Sequence, residues 1–125
     1  MDQETYDKGR RIRTQVLGES YVRNTAGDDF SGPLQDLVTE YCWGAVWGRD
    51  GLPLKTRSML NLAMIALLNR PHELRTHVRG ALNNGVSRDE IREIFMQVAI
   101  YAGVPAAVDS FRVAREAFAD LDESR

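Results

Sequence analysis

The sequence predicts an all-α protein of about six helices, folded as a single domain over residues 1–125. Apolar residues recur at three- and four-residue spacing in six separate stretches, and no stretch alternates polar and apolar at the period of a strand. Caps, glycines and prolines punctuate the stretches where helices should start and stop.

Residues 5–17 give a first helix, with Tyr6, Ile12, Val16 and Leu17 as a thin apolar stripe among Lys8, Arg10, Arg11 and Arg13, a basic run read as a solvated face. Gly18 ends it, and residues 24–32 carry loop chemistry in Gly27, Asp28, Asp29 and Ser31. A second helix is expected to use Ser31 as cap and Pro33 just inside, and to run to about residue 47. The third, residues 54–68, is apolar at nine of the ten positions from Met59 to Leu68, which predicts burial on every face. The fourth begins at Arg70 or Pro71, because the residue before a proline is pushed out of the α region, and closes at Gly85. In the fifth, Ser87 and Glu90 spell a capping box, with Val86 and Ile91 as the hydrophobic staple, and the helix runs to about residue 101. Pro105 opens a sixth through residue 121, followed by the polar tail DESR, expected to fray. The short link at Gly85 predicts that the fourth and fifth helices form a central hairpin.

A formal net charge of -2, with both signs spread along the chain, offers no basic stripe for nucleic acid and no basic amphipathic segment for a membrane surface. The expected partner is a small molecule. Cys42 is the single cysteine, so neither a disulfide framework nor a cysteine metal cage is available, and a reducing cytoplasm is the expected compartment. The N-terminus, MDQETYDKGR, lacks the apolar segment of a secretory signal. Two helices apolar on nearly every face exceed what so short a chain can bury alone, which predicts a homo-oligomer.

The reactive side chains gather in two stretches. In NRPHELRTHVRGALNNG, Leu74, Val78, Ala81 and Leu82 form the apolar stripe, and Arg70, Glu73 and His77 border it one turn apart. In TEYCWGAVWGRDGL, Glu40, Tyr41, Trp43, Trp47 and Arg49 fall close together, and the aromatic rings could wall a pocket or fill a core. His72 and His77 are five apart and face different sides of a helix, so the spacing does not make a zinc site; no metal is expected. No glycine-rich phosphate loop or nucleophile motif occurs.

The run HVRGALNNGVSRDEIREIFMQVAIYAGVPAAVDSFRVAREAF, preceded by EYCWGAVWGRDGLPLKTRSMLNLAMIALLNRPHELRT, closely resembles the carboxymuconolactone decarboxylase family, within the alkylhydroperoxidase D-like superfamily. Peroxidase members of that superfamily carry C-x-x-C-x-x-x-H with an upstream glutamate. Here His77 holds the histidine position, Arg70 and Glu73 the cysteine positions, and Ser58 the glutamate position, so the redox machinery is absent. The resemblance implies the superfamily's helical bundle, a trimeric or hexameric assembly, and cofactor-independent decarboxylation of 4-carboxymuconolactone to the β-ketoadipate enol-lactone in protocatechuate catabolism.

That substrate is a butenolide with a carboxylate and an acetate arm on its γ-carbon. Its ring is the electron sink, so no cofactor is expected. The protein must supply arginines for the carboxylates, a donor for the developing oxyanion and a positioned acid. Arg49, Arg57 and Arg70 are candidates for the first, Tyr41, Trp43 or Trp47 for the second, and His77 for the third. Glu73 or Glu40 could orient the imidazole and raise its pKa. The alternative is a non-redox binding protein, or a differently acting member of the fold, in which His77 only packs. Thiol peroxidase chemistry by Cys42 alone lacks a resolving thiol.

Overall fold

The computed structural model describes residues 1–25 and 27–123, and every regular element among them is helical. In chain order these are α1 (Gln3–Leu17), α2 (Glu19–Asn24), α3 (Gly32–Leu37), a π-helical segment (Val38–Val46), α4 (Leu54–Leu68), α5 (Pro71–Asn83), α6 (Arg88–Ala102) and α7 (Val104–Glu123). Backbone contacts divide the chain into two compact units, Met1–Leu54 and Lys55–Arg125. Each has its own apolar cluster.

The first unit is built on α1 lying against the π-helical segment. Its core is Val16, Trp43 and Trp47, with Ile12, Val38, Cys42 and Leu54 packed around them. Two glycines permit the close crossing: a Cβ on Gly9 would collide with the Thr39 carbonyl, and one on Gly44 with the carbonyl of Thr5. Arg13, 7% exposed, donates from Nη1 to Thr39 Oγ1 at 3.2 Å and from Nη2 to Gln35 Oε1 at 3.0 Å. The Thr39 hydroxyl in turn donates to the Gln35 carbonyl at 2.8 Å, a back-bond of the kind that bends helices. This buried polar node sits where α3 widens into the π register, so Arg13 is a core residue and not part of a solvated basic face.

Three expectations change in this unit. The second helix is not α-helical throughout: it begins as α3 and continues in the π register to Val46, with Trp47 N–H closing on the Cys42 carbonyl at 2.9 Å. Ser31 is its N-cap residue by position, but its side chain does not cap; Asp28 Oδ1 accepts from Phe30 N, Ser31 N and Ser31 Oγ instead. Those bonds, the Ser31 N–H first, hold the Asp28 carboxyl below the usual range. The short α2 was not anticipated. Within the loop expected at residues 24–32, Ala26 lies outside the described residues.

In the second unit, Leu62 of α4, Leu74 and Val78 of α5, Ile91 and Phe95 of α6, and Val113 and Ala117 of α7 form the core. Full burial of Ile91 and Phe95 contributes about 1.5–3 kcal/mol each. Gly85, at φ 96, closes α5 in a conformation that a Cβ would strain, and Val86 N–H returns to the Ala81 carbonyl at 2.9 Å. Two residues on, the capping box is complete: Ser87 Oγ accepts from Glu90 N at 3.0 Å, and Glu90 Oε1 accepts from Ser87 N at 2.9 Å. The link from α5 to α6 is short, as expected for a hairpin, but the long helix α7 is what packs along both. Arg75 of α5 pairs with Asp120 and, at 3.6 Å, with Glu116, both on α7.

Helix α4 departs from its expectation of burial on every face. Ser58, Leu62 and Ala66 are buried along one stripe, while Leu60, Met64, Leu67 and Leu68 are exposed. A helix packed on one core has only one stripe to give it. On α6, Met96, Ile100 and Tyr101 are exposed in the same way. Of the tail expected to fray, Asp122 and Glu123 are helical, and Ser124 and Arg125 lie outside the described residues.

Candidate active site

In the second unit, three candidates ride on or beside α5. Arg70 is its N-cap residue and is exposed, with Nη1 3.4 Å from the Asn69 carbonyl. Glu73 lies in the first turn, exposed, where a carboxylate complements the positive end of the helix dipole. His77 follows one turn on and is half-buried, between the buried Leu74 and Val78 and open solvent. Local sequence sets this arrangement: Pro71 starts the helix, and the stripe of Leu74, Val78 and Ala81 turns one face inward, which leaves His77 on the border. Arg57, half-buried, is on α4, and its neighbour Ser58 is 1% exposed and accepts from Asn84 Nδ2 at 3.1 Å.

The first unit holds the others. Glu40 is half-buried and its Oε1 accepts from Asp2 N at 3.1 Å. Tyr41 is 65% exposed, whereas Trp43 and Trp47 are 3% and 5% exposed and stack with centroids 4.4 Å apart at 32°. Both indoles are therefore core residues of their unit, which leaves the Tyr41 hydroxyl as the accessible donor of the three. Arg49, exposed, lies just beyond the π-helical segment, its N–H on the Val46 carbonyl at 3.1 Å. It borders a cleft of about 420 Å³ lined also by Lys8, Gly44, Gly48, Asp50 and Gly51. Lys8 was missed because α1 was read as a solvated face. The glycines of EYCWGAVWGRDG, spaced to admit a neighbouring helix, were the available signal.

Cys42 is half-buried, and burial pushes its thiol up, with Arg13 opposing. A thiol so held stays protonated at neutral pH, and the thiolate is the form that attacks peroxide. Among the described residues, no three His, Cys, Asp or Glu side chains come together as a metal site.

Residues 32–116 match the family model described as carboxymuconolactone decarboxylase family. The chain belongs to the carboxymuconolactone decarboxylase family. A 4-carboxymuconolactone decarboxylase from Acinetobacter baylyi is 40% identical over 122 residues, covering 96% of this chain and 91% of that protein. A nitrosuccinic acid decarboxylase from Metarhizium robertsii is 41% identical over 118 residues, covering 93% of this chain and 82% of its own. An uncharacterised 15.0 kDa protein from Paracoccus denitrificans is 34% identical over 89 residues, 69% of this chain and 66% of that one.

The matched region of this family member starts at α3 and reaches into α7, so it spans both stretches of reactive side chains. Those stretches carry the exposed guanidinium groups of Arg49 and Arg70, the half-buried imidazole of His77 and the exposed phenol of Tyr41.

Proposed function

We propose that this chain decarboxylates 4-carboxymuconolactone to the β-ketoadipate enol-lactone without a cofactor, in the catabolism of protocatechuate. The observation that carries the reading is the 40% identity to a 4-carboxymuconolactone decarboxylase over nearly the full length of both chains. In the reaction the bond between the γ-carbon and its carboxylate breaks and CO2 leaves. The electron pair shifts through the ring double bond to the lactone carbonyl, giving a dienolate, and the α-carbon then takes a proton. Arg70, Arg57 and Arg49 are the proposed carboxylate ligands, bidentate where the geometry allows. Tyr41 is the proposed donor to the dienolate oxygen, His77 the acid that protonates the α-carbon, and Glu73 or Glu40 the group that orients it. The test is release of CO2 from γ-carboxymuconolactone by the purified chain.

The Metarhizium relative motivates a second reading. In nitrosuccinic acid the nitro group sits beside a carboxyl, so loss of CO2 there leaves a nitronate, and a carboxymethyl arm remains. The two reactions share an anionic arm, an internal electron sink and a protonation step. The same assay run with 2-nitrosuccinate separates them by the ratio of kcat/KM.

The proposed assembly is a homo-oligomer, a trimer or hexamer. Seven large apolar side chains on α4 and α6 are 47–85% exposed, and large exposed apolar patches mark protein–protein contacts. A groove of about 510 Å³ lies between the two helices, lined by Met59, Leu60, Met64, Ile94, Val98 and Tyr101, and a second copy is its proposed occupant. Sedimentation of a stable monomer at micromolar concentration would overturn this. No helix among the described residues is long and apolar enough to cross a membrane. The cytoplasm is the proposed compartment, with a small-molecule substrate and no nucleic-acid partner.

A further inference from the structure

A second cleft lies within the Lys55–Arg125 unit, between α6 and α7, on residues that the decarboxylation scheme does not use. Its volume is about 190 Å³, below the roughly 300–1,000 Å³ of sites for drug-sized ligands, so its occupant has about one ring. The lining combines aromatic carbon with guanidinium. Phe95, fully buried, meets Phe111 edge-on at 5.9 Å and 70°, and Phe118 adds a further ring. Arg88, Arg92 and Arg115 stand around them against a single lining carboxylate, Asp89.

The three arginines are not equivalent. Arg88 is committed: it donates to both carboxylate oxygens of Asp122, at 2.6 and 3.3 Å, and lies 4.5 Å above the Phe118 ring. It acts as a fixed wall. Among the described residues Arg92 pairs with Asp89 at 3.3 Å and Glu93 at 3.5 Å, on its own helix and in solvent. Pairs of that kind contribute little, so a ligand anion can replace them at small cost. Arg115 is exposed and makes no ion pair among the described residues. Two guanidinium groups thus stand ready for an anion at the rim of a pocket whose inner surface favours a flat apolar body.

We propose that this cleft binds small aromatic carboxylates, the carboxylate on Arg115 and Arg92 and the ring against Phe111 and Phe118. Neither half of such a ligand suffices: an anion alone leaves the apolar floor wet, and a ring alone leaves the arginines to solvent.

The test is a titration of the 15N-labelled chain followed by amide chemical shifts, with benzoate, acetate and benzyl alcohol as separate probes. Benzoate is expected to shift saturably the amides around Arg92, Phe111, Arg115 and Phe118. Acetate and benzyl alcohol should bind there at least tenfold more weakly. Arg115→Gln, at an exposed position, should weaken benzoate about tenfold and leave benzyl alcohol unchanged, as expected for loss of one charge-assisted contact. If that variant loses its native spectrum, Arg92→Gln is the replacement and the same shift is expected. Benzoate shifts confined to other residues, equal binding of acetate, or an unchanged benzoate affinity in the variant would each overturn the proposal.

Discussion

Replacing Gly44 by alanine should destabilise the Met1–Leu54 unit, although helix propensity argues the opposite. In a helix interior, alanine is favoured over glycine by about 1 kcal/mol. Against this, the new methyl would run into the Thr5 carbonyl of α1, with Thr5 Cγ2 only 2.9 Å away. Backbone cannot swing aside as a flexible side chain can, so α1 must lift. Overpacking of a tight contact costs about 1–3 kcal/mol, and here the contact is helix on helix, so the upper end applies. The net loss expected is about 1–2 kcal/mol after the propensity gain is subtracted. Both tryptophans of the chain, Trp43 and Trp47, lie in this unit, so urea unfolding followed by tryptophan fluorescence reads the packing of its core. Near-UV circular dichroism of the stacked indoles should change as well, since Trp43 precedes the substituted residue. Gly51→Ala is the control, because no atom lies within 4 Å of its Cβ position; it should stay within about 0.5 kcal/mol of the parent. A Gly44→Ala chain as stable as the parent, with an unchanged indole spectrum, would refute the close crossing.

Four further outcomes are expected. Ser87→Ala should cost about 1 kcal/mol by removing the N-cap of α6. The Glu90 carboxyl is held below the usual range, first by the Ser87 N–H and then by Lys55 at 3.1 Å, so its contribution is present above the ordinary glutamate pKa of about 4.3 and fades as pH falls through the lower folded value; urea midpoints against pH should lose that component in Glu90→Gln. Arg70→Lys and Arg49→Lys should raise KM more than kcat falls, because an ammonium cannot make the bidentate carboxylate contact, and steady-state kinetics unchanged in both would place the anion site elsewhere. Activity should survive both chelator and thiol alkylation, and inhibition by a chelator that one added metal reverses would contradict the cofactor-free scheme.

Much of the fold was legible because local signals and tertiary packing agree. Ser87 and Glu90 spell out a cap that forms as written, and residues 54–68 are helical to the residue. The π register was not legible, since nothing in VTEYCWGAV forbids an α-helix; the contacts it makes with α1, Arg13 on Thr39 and the crossing at Gly9, are long-range. For the same reason Arg13 passed as one more surface cation. Ser31 does not cap because its hydroxyl is turned to donate to Asp28 Oδ1 at 2.9 Å instead of accepting from the first turn of α3. Apolar content fixed the amount of sticky surface on α4 but not which stripe its own unit would cover. At the candidate site, His77 on the border of an α5 stripe was readable from spacing, and the burial of Trp43 and Trp47 was not, because the same residues could wall a pocket or fill a core.

The most direct test of the central claim is the reaction of γ-carboxymuconolactone with the purified chain in D2O, followed by CO2 release and by NMR of the product. The expected result is stoichiometric CO2 and enol-lactone carrying one deuterium on the α-carbon in a single configuration, because a fixed donor delivers it to one face. His77→Gln should then lose about a hundred- to ten-thousand-fold in turnover with binding largely kept. A wild-type chain that releases no CO2 above the uncatalysed rate would contradict the function, and a His77→Gln chain with normal turnover and the same labelling would contradict the role of His77.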